Sequence, residues 1–137
     1  MRVRWAELDD QPRLSELDPW PKSSVWKRKI EAHEILVAES DGQIVGSLRF
    51  EFIWTTVSFV SYIVVDERHR GKGFSRQMLD FLISELRGRG APALLSSAQT
   101  DDPVAQSWRE HLGFKRNGLI ENIADEGVGE VVYRILL

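Results

Sequence analysis

The order of apolar and polar positions along the chain predicts alternating strands and helices. Short alternating or continuous apolar runs predict strands at residues 2–5, 35–39, 44–54, 57–65, 93–95, 114–123 and 128–137. Apolar residues spaced about 3.6 positions apart predict helices over residues 8–18, 23–32, 74–86 and 102–112. The predicted order is therefore β-α-α-β-β-β-α-β-α-β-β.

Turn-forming residues separate these elements and support the order. Asp41-Gly42 between two apolar runs predicts a tight hairpin, because glycine tolerates the positive φ that such a turn requires. Asp102 and Pro103 have the residue types of a helix N-cap and first position, and Gly113 is placed as the left-handed cap. We expect one α/β domain over residues 1–137, with a mixed, mostly antiparallel sheet and helices on both faces.

Composition narrows the class of protein. The chain of 137 residues is 42% hydrophobic and 28% charged, which is typical of one globular domain. It has no cysteine, so disulfides, thiolate metal sites and a cysteine nucleophile are excluded. No apolar run approaches the ~18 residues that span a bilayer, and the start has no secretory apolar segment. We expect a soluble, cytoplasmic protein that has no membrane partner.

Charge is low overall but locally concentrated. The net charge of −3 disfavours general nucleic-acid binding, and the three histidines are not spaced as metal ligands, so no metal is expected. Basic residues nevertheless crowd around two glycines at residues 70–76, RGKGFSR, between a strand and a helix. Free N–H groups and the helix dipole make a helix N-terminus an anion site, and glycine lets the backbone approach closely. Without an anion, basic side chains there would oppose the dipole, so we expect a phosphate-like ligand rather than a merely solvated turn.

Two common phosphate motifs do not match this turn. A P-loop needs a glycine where Asp66 stands and a serine or threonine where Gly73 stands. A dinucleotide fingerprint needs a glycine at Arg76, and its parallel βαβ setting conflicts with the antiparallel meander predicted before the turn. A nucleotide-phosphate binder is therefore the weakest interpretation.

A third pattern does match. Residues 70–75, RGKGFS, resemble the R/Q-x-x-G-x-G/A signature of the GCN5-related N-acetyltransferase (GNAT) family, which follows a strand ending in Val-Asp, as Val65-Asp66 do here. Residues 102–114, DPVAQSWREHLGF, look like the family's N-x-x-A…Y-x-x-x-G-F helix and the start of the next strand. The element order is also similar, so the resemblance covers nearly the whole chain and implies the GNAT fold.

The resemblance implies acetyl-CoA or another acyl-CoA as co-substrate. Backbone N–H groups of residues 70–76 would hold the pyrophosphate, and the strand ending at Val65 would pair with the pantetheine arm. That strand would splay from residues 94–97, with the thioester in the gap and an N–H near Val65 polarising its carbonyl. The implied cofactor-binding residues are Ile63, Val64, Val65, Arg70, Gly71, Lys72, Gly73, Phe74, Ser75, Arg76, Ser97 and Trp108.

The sequence departs from the family pattern at two positions. Ser75 stands where the signature has glycine or alanine, a mild change. Arg109 stands where many members carry the tyrosine that protonates the leaving thiolate. Arginine has too high a pKa to be a general acid, but it can stabilise a thiolate or bind a CoA phosphate. The alternative is a solvated helix residue.

Other residues are candidates for proton transfer. Tyr62 is a possible acid because it alternates with Ile63 on the strand. Glu130 is the preferred base because it interrupts an apolar strand, and its alternative is an outward-facing residue on an edge strand. Further candidate bases are Glu31, His33, Glu34 and Glu51.

The predicted function is an acyl-CoA-dependent N-acetyltransferase. The acceptor, a small-molecule amine or a peptide, would attack the thioester directly, which agrees with the missing cysteine nucleophile. The alternative is a catalytically weak CoA-binding regulatory module that lost activity with the tyrosine. No motif identifies the acceptor, and the protein could be a monomer or a homodimer.

Overall fold

The computed structural model describes residues 2–137, and its elements follow the predicted order. The strands are β1 Arg2–Trp5, β2 Ile35–Ser40, β3 Gln43–Ile53, β4 Val57–Val65, β5 Ala93–Gln99, β6 Lys115–Asp125 and β7 Val128–Leu136. The helices are α1 Gln11–Leu17, α2 Ser23–Glu31, α3 Phe74–Gly88 and α4 Pro103–His111, with short 3-10 turns at Leu8–Asp10 and Glu67–His69. No helix among these residues is long and apolar enough to cross a membrane.

The strands form a seven-stranded sheet in the order β1-β2-β3-β4-β5-β7-β6. The β1/β2, β2/β3, β5/β7 and β6/β7 pairs are antiparallel. The β4/β5 pair is parallel, with a register that runs from Ser58↔Leu94 to Val60↔Ser96. The predicted fold class, a mixed and mostly antiparallel sheet, is confirmed.

Two compact units divide the chain. The first comprises the residues up to Glu51 together with Tyr62–Glu85, and the second comprises Phe52–Ser61 with Leu86–Leu137. Both units are discontinuous in sequence, and β4 contributes to each. The expectation of a single domain over residues 1–137 stays a prediction.

In the first unit, helices pack on both faces of the strands. One face of β2 lies against α1 and α2 through a buried cluster of Leu14, Trp26, Ile30, Ile35 and Val37. On the opposite face, the Trp5 ring meets Phe81 of α3 at 5.7 Å between centroids. A Cβ added to Gly46 of β3 would lie 3.1 Å from the Met78 side chain of α3, so this glycine permits close helix–sheet approach.

The predicted caps and turns are present. Asp41 and Gly42 have φ values of 52° and 76°, as a two-residue hairpin turn requires. The Asp102 carboxylate accepts a 3.0 Å bond from the Ala105 amide at the start of α4. Gly113 closes that helix with a φ of 100°.

The structure corrects two strand boundaries and the position of one strand in the sheet. The β3–β4 turn is Trp54-Thr55, both with positive φ, so Trp54 is not part of the strand as predicted, and it is 83% exposed. The strand predicted at 93–95 extends to Gln99. The edge strand is β6, whereas β7 lies between β5 and β6.

Candidate functional site

The glycine turn of the first unit has the backbone geometry of an anion site. Gly71 and Gly73 have φ values of 75° and 87°, which side-chain-bearing residues rarely adopt. The Gly73 carbonyl accepts the Gln77 amide at 3.0 Å, the first bond of α3. The amides of Gly73, Phe74 and Ser75 therefore precede the first intrahelical donor and are available to a ligand.

Some side chains around the turn attach it to the rest of the unit, and others face solvent. Phe74 is buried in the core and meets the His69 ring edge-on at 6.1 Å, so only its backbone amide lies at the turn surface. Arg70 donates from Nε to the Val65 carbonyl at 3.0 Å, tying the turn to the end of β4. Lys72 is exposed, and Arg76 is half-buried.

Asp66, which the sequence placed at the strand end without a role for its side chain, fixes the junction between β4 and the turn. Its amide donates to the Val45 carbonyl at 2.7 Å. Its carboxylate accepts the Arg68 amide at 3.1 Å and Arg13 Nη2 at 2.7 Å. These bonds hold the pKa of Asp66 below its usual range, and the bond from the Arg68 amide makes the largest contribution. The signal was its N-cap position after a strand.

Strand β4 changes phase in its middle. Ser58 and Val60 are buried in its first half, and Ile63 and Val65 in its second, so the alternation slips by one residue at Ser61-Tyr62. One extra residue in a strand produces such a slip, as in a β-bulge. Val64, which lies between the buried residues Ile63 and Val65, is half-buried.

Tyr62 lies beside the Arg49 guanidinium, which is itself bound by a buried carboxylate. The Arg49 guanidinium carbon is 5.8 Å from the centre of the Tyr62 ring. Arg49 donates from Nε to Asp18 at 2.8 Å, and Asp18 is fully buried. The phenol therefore has a positively charged neighbour whose position is fixed.

In the second unit, Arg109 is buried, so the alternative of a solvated helix residue is wrong. Only 7% of the residue is exposed, and its Nε donates to Ser96 Oγ at 2.9 Å. Ser96 Oγ in turn donates to the Val60 carbonyl at 2.9 Å. Burial lowers the pKa of Arg109, while Glu130 opposes that shift.

No carboxylate among residues 2–137 forms an ion pair with Arg109. Its guanidinium carbon lies 5.8 Å from the centre of the half-buried Trp108 ring. A buried cation without a counter-ion is costly. Arg109 is therefore suited to an anion or a developing negative charge.

Two more polar groups of this unit are left unsatisfied. Glu130, half-buried on an inner strand, has a buried oxygen, Oε2, without a hydrogen-bond partner in the described chain, and the edge-strand alternative is wrong. Tyr133 is fully buried, and its hydroxyl also has no partner there. Burial raises the pKa of Tyr133, and the Glu110 carboxylate adds to that shift. The half-buried Ser97 pairs with Val132 across the β5/β7 ladder.

The remaining candidate bases are exposed or engaged. Glu31 and His33 are exposed, and His33 stacks on Trp5 at 5.3 Å. Glu34 lies 3.4 Å from Lys29, and Glu51 lies 3.5 Å from Arg49. Within residues 2–137 no cluster of three or more potential ligands could hold a metal ion.

Comparison with known families and proteins identifies acetyltransferases in each case. The family model described as "Acetyltransferase (GNAT) family" matches residues 3–114. The N-alpha-acetyltransferase RimI of Mycobacterium tuberculosis is 31% identical over 120 residues, which cover 85% of this chain and 73% of that protein.

Solved structures share the fold. The ribosomal-protein-alanine N-acetyltransferase of Brucella melitensis superposes with a TM-score of 0.81 at 20% identity and covers 100% of both chains. The yncA protein of Salmonella typhimurium, solved with its cofactor acetyl-CoA, gives a TM-score of 0.79 at 20% identity, covering 100% of this chain and 94% of that one.

Proposed function

Because this chain belongs to the acetyltransferase (GNAT) family, we propose that it transfers an acetyl group from acetyl-CoA directly to an acceptor amine. The enzyme class, an N-acetyltransferase, follows from the family and from the named relative. The co-substrate, the direct route and the roles of individual residues are the further steps argued below.

One observation carries the co-substrate: two positive-φ glycines stand directly before the open first turn of α3. We assign the CoA pyrophosphate to the amides of residues 70–76, with Arg70, Lys72 and Arg76 adding positive charge. The pattern RGKGFS at this place agrees with the match over residues 3–114. Ser75 contributes its amide in the same way as the smaller residues it replaces.

The backbone of Ile63, Val64 and Val65 is assigned to the pantetheine arm. The phase slip at Ser61-Tyr62 supports this, because a bulge of the kind that produces such a slip disrupts the ladder and frees strand N–H and C=O groups for a ligand. An amide near Val65 would donate to the thioester oxygen as negative charge develops on it. Ser97 and Trp108 are assigned to side contacts with the same arm.

In the proposed reaction, the amine nitrogen attacks the carbonyl carbon, the C–S bond breaks, and the electron pair leaves on sulfur. A free thiol has a pKa of ~8.5, so the sulfur can depart as thiolate. Arg109 would stabilise that thiolate by charge, where a tyrosine would donate a proton. Its buried guanidinium, which bonds to Ser96 but forms no ion pair with a carboxylate of residues 2–137, supports this role.

The acceptor must also lose a proton. Glu130 is the proposed base, directly or through water, because its buried Oε2 lacks a hydrogen-bond donor among the described residues. Tyr62, beside Arg49, is the second proton-transfer candidate.

The proposed acceptor is a peptide or small-molecule amine, with a peptide α-amine first. The N-alpha-acetyltransferase named above supports that preference, since this chain covers 73% of its length. We place the reaction in the cytoplasm, which agrees with the absence of cysteine.

The test is thiol release from acetyl-CoA with a panel of peptides, amines and polyamines. Turnover with any acceptor would exclude the second candidate, a CoA-binding module without catalysis, which Arg109 in the tyrosine position favours. Calorimetry that detects no acetyl-CoA binding would overturn both.

A further inference from the structure

Arg13 is the residue through which helix α1 contacts the start of the glycine turn. Its Nη2 donates to the Asp66 carboxylate at 2.7 Å, and its Nε donates to the Ile44 carbonyl of β3 at 3.1 Å. The Asp66 amide donates at 2.7 Å to the next carbonyl of that strand, that of Val45. Arg13 and Asp66 are therefore held on neighbouring residues of β3 and bonded to each other, so each limits the movement of the other.

Asp66 connects Arg13 to the backbone that leads into the glycine turn. Its second carboxylate oxygen, Oδ1, accepts the Arg68 amide at 3.1 Å, and its carbonyl accepts the His69 amide at 2.8 Å. Both bonds close the 3-10 turn Glu67–His69. The next residue, Arg70, begins the segment assigned to the CoA pyrophosphate. The Asp66 carboxylate therefore lies between Arg13 and that segment.

Stability alone is a poor explanation for this ion pair. The side chains of Arg13 and Asp66 are 36% and 27% exposed. Ion pairs this accessible to solvent contribute little to the free energy of folding, because water screens the attraction and ordering two side chains costs entropy. A planar guanidinium that donates to two acceptors at once nevertheless fixes the orientation of its partner more closely than a point charge does. The pair is better suited to orient Asp66 than to stabilise the fold.

Two effects of Arg13 on an anion at the turn must be distinguished. Its charge offsets that of the Asp66 carboxylate, which lies four residues before Arg70 and would repel a phosphate. Its two bonds hold that carboxylate in one orientation. The first effect requires only a cation, whereas the second requires the fork of an arginine. The structure favours the second, because Nε and Nη2 are both engaged.

We propose that Arg13 is a positioning residue for the acyl-CoA site. It acts through Asp66, which it holds in the orientation that caps the turn Glu67–His69. The capped turn then presents the amides of residues 70–76 to the pyrophosphate. This inference rests on the proposed function, since it takes the glycine turn as the CoA site. It places a determinant of co-substrate affinity on α1, outside the segment that carries the glycines.

Calorimetry and thiol-release kinetics give the first test. Arg13→Met should raise the Kd and the KM for acetyl-CoA about tenfold, as expected when an amide site loses its orientation. The kcat at saturation should change by less than about twofold, because the acetyl group lies at the opposite end of the co-substrate from the pyrophosphate. Unchanged affinity in Arg13→Met, or a loss confined to kcat, would overturn the proposal.

Two control variants separate positioning from general damage to the unit. Arg4→Met removes a less exposed arginine of the same unit, which pairs with Asp10 and Glu39 at 2.7 Å each. It should lower the urea midpoint more than Arg13→Met does and leave the acetyl-CoA affinity unchanged. Glu16→Gln removes the other carboxylate that Arg13 contacts, at 2.9 Å, and should also bind normally. Equal loss of affinity in Arg4→Met would show that the effect is unspecific.

Charge and orientation are separated by two further variants. Arg13→Lys keeps the positive charge but loses the planar fork, so its affinity should stay below that of the wild type. Arg13→Met/Asp66→Asn should bind acetyl-CoA no more tightly than Arg13→Met, because Asp66 is the residue through which Arg13 acts. Wild-type affinity in either variant would show that removing repulsion is sufficient, which contradicts a positioning role.

NMR of the ligand-free protein tests the positioning without any co-substrate. Arg13→Met should speed hydrogen exchange at the Arg68 and His69 amides and increase the motion of Gly71 and Gly73, whereas Arg4→Met should not. Unchanged exchange and relaxation in Arg13→Met would overturn the role of Arg13 even if affinity fell. A wild type that binds no acetyl-CoA would overturn the proposed function, and this measurement would still decide whether Arg13 orders the turn.

Discussion

The glycine turn of the first unit and the Arg109 cluster of the second (Arg109, Ser96, Glu130 and Tyr133) are suited to negative charge by opposite means. The turn uses backbone amides and consists of one contiguous segment, residues 70–76, whose exposed glycines leave the amides accessible. The cluster uses side chains from α4, β5 and β7, and its arginine is only 7% exposed.

The two constructions should fail in different ways. A backbone site is damaged when atoms are added, because a side chain strains the positive φ and covers the amides. A buried side-chain site is damaged when atoms are removed, because the remaining polar groups lose their partners. The predictions below separate these modes, from the largest expected effect to the smallest.

Gly73→Glu should weaken acetyl-CoA binding at least 100-fold, which is about 2.7 kcal/mol. The new side chain strains a φ of 87° and brings a carboxylate to the proposed pyrophosphate site. Gly90→Glu is the matched control, since Gly90 has a φ of 76° with nothing within 4 Å of a Cβ. Calorimetry should find normal affinity in the control, and equal loss in both variants would mean general strain rather than a phosphate site.

Replacing Arg109 should separate catalysis from stability. Arg109→Met should lower kcat about 100-fold, as loss of one transition-state donor does, while the free energy of unfolding changes by less than about 1 kcal/mol because a costly buried charge is also lost. Stopped assays of thiol release and urea unfolding measure the two quantities.

The companion variant Arg109→Tyr introduces an ionisable acid. Its kcat should stay within about tenfold of wild type near neutral pH and then fall as the phenol ionises near pH ~10. The kcat of the wild type should not fall in this way over the same pH range. Full activity of Arg109→Met would remove Arg109 from the mechanism.

Ser96→Ala should destabilise the second unit by about 1–3 kcal/mol, because it leaves Arg109 Nε and the Val60 carbonyl without that hydroxyl. Ser58→Ala is the matched control, since Ser58 Oγ makes one bond, to the Ala93 carbonyl at 3.0 Å. Its cost should be about 1 kcal/mol. Equal costs in urea unfolding would show that the bond to Arg109 contributes nothing.

Tyr133→Phe should change the free energy of unfolding near neutral pH by less than about 1 kcal/mol, because the buried hydroxyl has no short hydrogen bond within the described chain and interacts with the nearby Glu110 carboxylate. Burial raises the pKa of Tyr133 in the folded state. The wild type should therefore lose stability as pH rises above about 10, the unfolded value. The variant should lose less over that range, and parallel pH profiles would contradict the assignment.

Features set by local dihedral requirements could be predicted from the sequence. Positive φ at Gly71, Gly73 and Gly113, the Asp41-Gly42 turn and the Asp102 cap each depend on a few neighbouring residues. The glycine turn was therefore recognisable from one short segment, and the element order followed from the periodicity between such signals.

Features set by distant neighbours could not be predicted. An arginine beside Trp108 on a helix is ordinarily solvated, and only Ser96, 13 positions away, shows why Arg109 is buried. Each half of β4 taken alone shows a regular alternation of residues. The slip between the two halves therefore becomes visible only when the burial of each residue is known. Tryptophan does not favour positive φ, so the residue type gave no sign that Trp54 would lie in a turn. The pairing of β3 with β4 imposes this conformation against the residue's own preference.

The phase slip in β4 also bears on how this chain tolerates insertions and deletions. If Ser61 were deleted, the buried residues Ser58, Val60, Ile63 and Val65 would fall into one unbroken alternation. We expect the core to accept the shorter strand, with the loss confined to the irregularity to which we assign ligand access. We therefore expect length variants at this position to remain folded while losing the proposed acetyl transfer.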